Sequence, residues 1–355
     1  MNNIRLLFLM KSFNIGGVER SVINYANELI KDFDYVGICA YGDFFNHKNY
    51  INDDVEINNL PFPSNSSNFL SNLFCIIKIL KKKEITILHY HHRVYLPYIL
   101  ILRVRFPALK IIYSHHNTFD DQLTKLLYAN HYVAISKSTE SELIRSHKKD
   151  FTIIKHGTPI SYNEVSQQLK EKFTIGFVGR FTKTKGIFVL LDAFRNIHIK
   201  LSHVRLCFFG EGELQESIES FIREHHFQKV VDIFPPTTNL ESIYSRIDLL
   251  VIPSISLEGF GLVIIEGMAH KKLVVASDLP VFREIITDEE TGFLFTAGDS
   301  KHLEKVLLKI ISDDELYNKI RLNGFDTAVR EYNLSDAVNK YINLYKRCWN
   351  SGKYT

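Results

Sequence analysis

Short apolar runs alternate along this chain with segments whose apolar residues recur at helical spacing. In the first part the runs are IRLLFLM, YVGICAY, ITILHYH, KIIYSHH and HYVAIS, with a shorter one at FTIIKHG. Runs of this kind, without polar alternation, fit strands buried on both faces of a parallel sheet. Between them the spacing predicts helices over 18–30, 69–83, 95–104, 122–128 and 138–145, several opening on Ser or Asp as helix N-caps do. Both periodicities fade from Gly157 to Lys172, through TPISYNEVSQQ, and the domain boundary is expected there. A second series follows, with strands FTIGFVG, VRLCFFG, VVDIF, LLVIP, KLVVAS and GFLF and helices near Ile187, Leu214, Leu240, Leu262, Phe282 and His302.

This alternation predicts an α/β protein of two doubly wound domains. Ligands of open parallel sheets bind beyond the carboxyl ends of the strands. Two such domains facing across a cleft would therefore carry their chemistry in strand-to-helix loops.

With 355 residues, 45% hydrophobic and 23% charged, the chain is long enough for two cores and has a globular composition. Cys39, Cys75, Cys207 and Cys348 stand far apart and form no C-x-x-C, which points away from a zinc site or a disulfide framework and fits a reducing cytoplasm. The first apolar run is broken by Arg5 and Lys11 and lacks a small-residue cleavage site, so it reads as a buried strand and not as a signal peptide. The stretch from Leu96 to Leu102 is far short of the roughly 20 residues of a spanning helix, and no transmembrane segment is expected.

Residues 1–155 hold 19 Lys and Arg against 14 Asp and Glu, which makes the first half the basic one. The asymmetry fits an anionic partner such as a membrane surface or a lipid phosphate, and it equally fits ordinary solvated charge. The segment FLSNLFCIIKILKKK sharpens the question. It sets apolar residues at 69, 70, 73, 74, 76, 77, 79 and 80 and clusters Lys78, Lys81, Lys82 and Lys83 toward one end. Such a helix either packs on the core and ends in solvated lysines or lies on an anionic bilayer.

The most specific motif is PSISLEGFGLVIIEGMA, from Pro253 to Ala269, where a strand ends, a glycine-containing loop follows and a helix begins near Leu262. Glu258 falls in the loop before the helix and Glu266 about one turn inside it. The backbone N–H groups of Gly259, Phe260, Gly261 and Leu262 sit where a helix N-terminus favours an anionic phosphate. A carboxylate within LVIIEGMA needs donors if it is buried, and paired ribose hydroxyls would serve; spacing alone leaves open a glutamate on the exposed face. A second loop, GFVGRFTKTKG, carries Arg180, Lys183 and Lys185 between a strand and a helix, where cations can balance the charge of a departing nucleoside diphosphate. A third, FNIGGVER, sets Gly16 and Gly17 after the first strand, and such a pair alone mostly makes a turn. His89, His91 and His92 end one strand and His115 and His116 the next; they are open to metal binding or to hydrogen bonding with a hydroxyl or phosphate, and no carboxylate or cysteine completes a metal set.

The run E-G-F-G-L-V-I-I-E resembles the E-x7-E signature of the retaining family-4 glycosyltransferases, and the resemblance extends over most of the chain. It implies the GT-B architecture: two Rossmann-like domains across a cleft. The acceptor-side domain is expected over 1–160, the nucleotide-sugar-binding domain over 161–335, and a C-terminal helix over 336–355 packs back toward the first domain. The resemblance gives Glu266 the donor ribose, sets Glu258 beside the donor sugar, and brings the backbone from Gly259 through Phe260, Gly261 and Leu262 to Val263 onto sugar hydroxyls and phosphate. Family members carry G-R-x-x-x-x-K-G, which selects Arg180 and Lys185 as the phosphate clamp. They also carry an entry similar to G-G-x-E-R, which brings Gly16 and Gly17 to the donor, and a strand ending in His, which selects His116 for a catalytic role beside Glu258, Arg180 and Lys185. Ser136 matches a strand-to-helix serine and is read as a cap.

The implied reaction is transfer of a sugar, with retention, from a nucleotide diphosphate donor to a saccharide or lipid-linked saccharide in cell-surface polysaccharide synthesis. A UDP-sugar is favoured, no metal or other cofactor is expected, and no nucleic-acid partner is expected. The enzyme would be cytoplasmic, at the inner face of the membrane if the N-terminal domain makes peripheral contact with it. A nucleotide-sugar epimerase and a non-catalytic nucleotide-sugar-binding subunit are the rival readings. The sequence departs from the family pattern at Gly267, where Ala is usual, at His270 to Lys272, and at His156, where Asn is frequent.

Overall fold

The computed structural model describes residues 3–12, 16–42, 50–62, 66–116, 123–163, 172–256 and 258–351. Phe13 to Ile15, Gln122, most of the boundary segment and Leu257 lie outside the described residues. The chain divides into two compact units, 1–157 with 334–355 and 158–333; the sequence pattern sets its cuts after 160 and 335.

The first unit runs β1 (Arg5–Ser12), α1 (Gly17–Leu29), β2 (Tyr35–Tyr41), β3 (Glu56–Leu60), α2 (Ser66–Lys82), β4 (Ile87–Tyr90), α3 (Leu96–Arg105), β5 (Lys110–His115), α4 (Leu123–Leu126), β6 (His131–Ala134), α5 (Lys137–Arg145) and β7 (Phe151–Ile153). The second runs β8 (Phe173–Val178), α6 (Ile187–Lys200), β9 (Val204–Phe209), α7 (Gln215–Glu224), β10 (Val231–Phe234), α8 (Leu240–Tyr244), β11 (Leu249–Ile252), α9 (Leu262–Ala269), β12 (Leu273–Ser277), β13 (Phe293–Phe295), α10 (Ser300–Ile311) and α11 (Asp314–Glu331). The last helix, α12 (Leu334–Asn350), belongs to the first unit.

Each unit holds one parallel sheet. The orders are β3-β2-β1-β4-β5-β6-β7 and β10-β9-β8-β11-β12-β13, and every pair is parallel. Strand order reverses between β1 and β4 in one sheet and between β8 and β11 in the other. Those are the points where doubly wound sheets open a crevice for ligands. The loops after β1 and β4 carry Gly16, Gly17, His91 and His92; the loops after β8 and β11 carry Arg180, Lys185 and Glu258.

Both faces of each sheet are covered, as the continuous apolar runs require. In β1, Leu6, Phe8 and Met10 join a core with α1 and α12, and Leu7 and Leu9 join one with α2 and α3. From α12, Ala337, Val338, Tyr341, Ile342, Leu344 and Tyr345 enter that first core. The second unit packs α6, α7, α10 and α11 around β8, β9 and β11.

The structure corrects the sequence pattern at several elements. β3 has no apolar run because it is an edge strand, with only Leu60 fully buried. The helix expected near Phe282 is a set of turns: Phe282 and Arg283 N–H both bond to Leu279 O, and Ile285 and Ile286 N–H both bond to Phe282 O, so paired turn bonds take the place of a regular helical ladder. α11 was not expected; its N-cap is Asp313, whose carboxylate accepts from Leu316 N–H. α4 spans four residues, fewer than expected. No helix among the described residues is long and apolar enough to cross a membrane.

Candidate functional site

In the second unit the two charged loops meet at the β8–β11 switch. Ile255 N–H donates to Thr184 O at 2.9 Å. Gly186, at φ +65°, lies so close to the other loop that a Cβ would stand 1.8 Å from Pro253 O; only glycine fits. This contact brings Lys185 Nζ to 2.6 Å from Glu258 Oε1, and Ser254 Oγ donates to the same oxygen at 2.8 Å. Both ends of the ion pair keep some solvent contact, with side-chain exposures of 26% and 21%. Arg180 shares the loop with Lys185, but its side chain is exposed and makes no hydrogen bond or ion pair among the described residues.

Gly261 caps α9, and Leu262 and Val263 form its first turn. Glu266 is buried, which decides against a solvent-facing glutamate. Tyr244 OH donates to Glu266 Oε2 at 3.3 Å. Spacing gave no sign of Tyr244, because α8 reaches α9 only through the fold.

The departures from the family pattern find their reason here. α9 lies flat on β11 and β12, and a Cβ at Gly267 would meet Leu250 Cδ2 at 2.6 Å. His270 ends the helix: its Nδ1 lies 2.7 Å from Glu266 O, and its ring stacks on Tyr244 with centroids 4.6 Å apart.

In the first unit Gly16 is the N-cap of α1 with extended backbone, φ −115°, and Gly17 opens the helix. At the ends of β4 and β5 the histidines separate. His115 Nε2 meets Glu142 Oε2 at 3.1 Å, in the core. His116 Nε2 lies 2.8 Å from His91 Nδ1, and its ring stacks on His156 at 5.3 Å. Tyr25 OH reaches His156 Nδ1 at 3.0 Å. His89 bridges Tyr345 OH, at 2.7 Å, and Ser114 Oγ, at 2.8 Å. Burial, followed by the charge of neighbouring histidines, pushes His91 and His116 well below the ordinary imidazole range. Burial also lowers His89 to about 3 and His156 to about 4. Among the described residues no group of three or more His, Cys, Asp or Glu could hold a metal. Ser136 is a cap: its Oγ accepts from Thr139 N–H in a capping box.

The model described as Glycosyltransferase Family 4 matches residues 15–162, and that described as Glycosyl transferases group 1 matches 161–327. The chain belongs to the family-4 glycosyltransferases. It is 26% identical to an uncharacterized glycosyltransferase of Methanocaldococcus jannaschii over 87% of this chain and 89% of that one. To the capsular polysaccharide biosynthesis glycosyltransferase CapM of Staphylococcus aureus it is 28% identical, over 55% of this chain and 56% of the relative. Among solved structures, HepE of Anabaena in complex with UDP and glucose superposes with a TM-score of 0.80 at 20% identity, covering 96% of this chain and 99% of that one. The fold of this family-4 glycosyltransferase is therefore GT-B, and it is related to enzymes of polysaccharide biosynthesis.

Proposed function

We propose that the protein transfers a sugar with retention of configuration from a nucleotide diphosphate donor, a UDP-sugar in first place, without a metal. The observation that carries this reading is the convergence at one switch point of Lys185, Glu258, the N-terminus of α9 and the buried carboxylate of Glu266. Donor phosphate would draw Lys185 away from Glu258, and Arg180 would swing onto the same charge. Both cations then stabilise the leaving diphosphate, together with the backbone from Gly259 to Val263. Released from Lys185, Glu258 is free to accept from sugar hydroxyls. Glu266 holds the ribose hydroxyls, while Gly16 and Gly17 lend backbone N–H groups. His116 is assigned the donor sugar by the motif it matches. The leaving phosphate oxygen takes the proton of the incoming hydroxyl on the same face, so no protein nucleophile is needed. The UDP complex of the solved relative supports the choice of base.

The acceptor in this reading is a saccharide, and a lipid-linked one if the first unit touches the cytoplasmic face of a membrane. What supports the contact is α2, which gives Leu73, Ile76, Ile79 and Leu80 to the core yet leaves Phe74 68% and Leu70 52% exposed.

The test is a panel of UDP-, GDP- and ADP-sugars assayed for diphosphate release with and without saccharide acceptors, in EDTA. UDP released together with a longer acceptor of retained anomeric configuration is expected. An isomerised donor would indicate an epimerase, and binding without turnover a non-catalytic subunit. Loss in EDTA with rescue by magnesium would overturn the metal-free mechanism.

A further inference from the structure

The first unit buries two imidazoles that bond to each other and leave one nitrogen each unmet among the described residues. His91 Nδ1 and His116 Nε2 lie 2.8 Å apart. The remaining ring nitrogens, His91 Nε2 and His116 Nδ1, are buried with no hydrogen-bond partner among the described residues. Both rings are neutral near pH 7, because burial and the surrounding histidines disfavour their charged forms. A neutral imidazole has one N–H and one bare nitrogen. One hydrogen occupies the shared bond, so the choice of donor fixes both tautomers together. If His91 donates, His116 carries its hydrogen on Nδ1 and His91 Nε2 is bare. If His116 donates, His91 Nε2 carries a hydrogen and His116 Nδ1 is bare.

The two arrangements differ in what is left unmet. His91 is walled by His89 and Phe8, with ring centroids 4.3 and 5.6 Å away. A hydrogen on its Nε2 would stay orphaned, and a buried orphan N–H is rarer than an under-satisfied acceptor. Both histidines follow strands at the carboxyl end of the sheet, where ligands of this topology arrive, and both free nitrogens are covered. His116 is the more exposed of the two, 5% against 2%, so a hydrogen on its Nδ1 lies nearer to an arriving ligand than one on His91 Nε2.

We propose that His91 is a positioning residue that donates Nδ1–H to His116 Nε2 and so holds His116 as a hydrogen-bond donor at Nδ1. The consequence for transfer rests on the reading above, in which a sugar hydroxyl meets His116; the tautomer itself does not. Two variants separate the bond from the packing. His91→Phe keeps a ring in the space and removes the donor, whereas the amide of His91→Asn overlays the lost Nδ1.

Long-range proton–nitrogen NMR of the ring nitrogens in the full chain is the direct measurement. His116 Nδ1 should be protonated in the natural protein and in His91→Asn, and should lose that state in His91→Phe. In steady-state assays His91→Phe should lower kcat by about tenfold or more with donor KM nearly unchanged, and His91→Asn should restore most of it. A bare His116 Nδ1 in the natural protein, or a pattern unaltered by His91→Phe, would overturn the proposal. If His91→Phe does not fold, the natural protein's spectrum alone decides. Full transfer by His116→Ala would instead remove the sugar contact and leave the tautomer assignment standing.

Discussion

Arg180 and Lys185 leave one loop in different states, and that difference sets what their removal should do. Lys185 is paired with Glu258 at 2.6 Å while Arg180 stands in solvent. A pair about a quarter exposed contributes on the order of 1 kcal/mol to stability, and an exposed arginine with no ion pair among the described residues less. Charge on a leaving diphosphate is far more sensitive to either. Arg180→Ala and Glu266→Ala should each slow transfer by on the order of a hundredfold. Arg180→Ala should do so without moving the melting temperature, and near-normal turnover in either variant would remove that residue from the donor site. The sequence showed these side chains because loop, glycine and charge lie together in one motif. It did not show Ser254 as the second donor to Glu258 or Tyr244 beside Glu266, since nothing in a linear spacing tells which hydroxyl a fold brings near.

α2 illustrates how one helix can answer to two surroundings. Eight apolar positions over 69–80 were legible, but not how they divide. Packing takes Leu73, Ile76, Ile79 and Leu80 and leaves Leu70 and Phe74 outward with Lys78, Lys81 and Lys82. α3, joined to it by the stacked rings of Phe69 and Tyr98 at 4.5 Å, likewise turns Leu100, Ile101 and Val104 outward, the last 76% exposed. Exposed apolar side chains beside cations form the surface that an anionic bilayer binds, each basic residue adding about 1 kcal/mol. The protein should therefore co-sediment with anionic liposomes and much less with neutral ones, and a Lys81, Lys82 and Lys83 to Gln variant should remain largely in the supernatant. Equal recovery of both proteins in the supernatant would withdraw the membrane contact and with it the argument for a lipid-linked acceptor.

For the whole molecule, the buried histidines make stability depend on pH. His89 and His156 titrate at about 3 and about 4 when folded, against roughly 6.5 in an unfolded chain. Below pH 6.5 the unfolded chain takes up protons that the folded unit refuses. The stabilisation is thus complete above that value and declines as the pH falls toward 4, by about 1.4 kcal/mol per pH unit for each histidine. Calorimetry should show the melting temperature falling steadily from pH 7 to 5; a constant value would contradict the buried neutral network. That network also marks the limit of sequence reading. Period and motif by themselves determined the α/β class, two parallel sheets, the loops bearing Glu258, Arg180 and Lys185 and the helix start bearing Glu266, because strand burial and strand-end chemistry are local patterns. Tertiary structure alone decided that Tyr345 of α12 bonds to His89 across 256 residues, that His91 and not His115 meets His116, and that Lys185 is held by Glu258. Those pairings follow from strand order and from which face each side chain takes, and both are fixed only when the sheet forms.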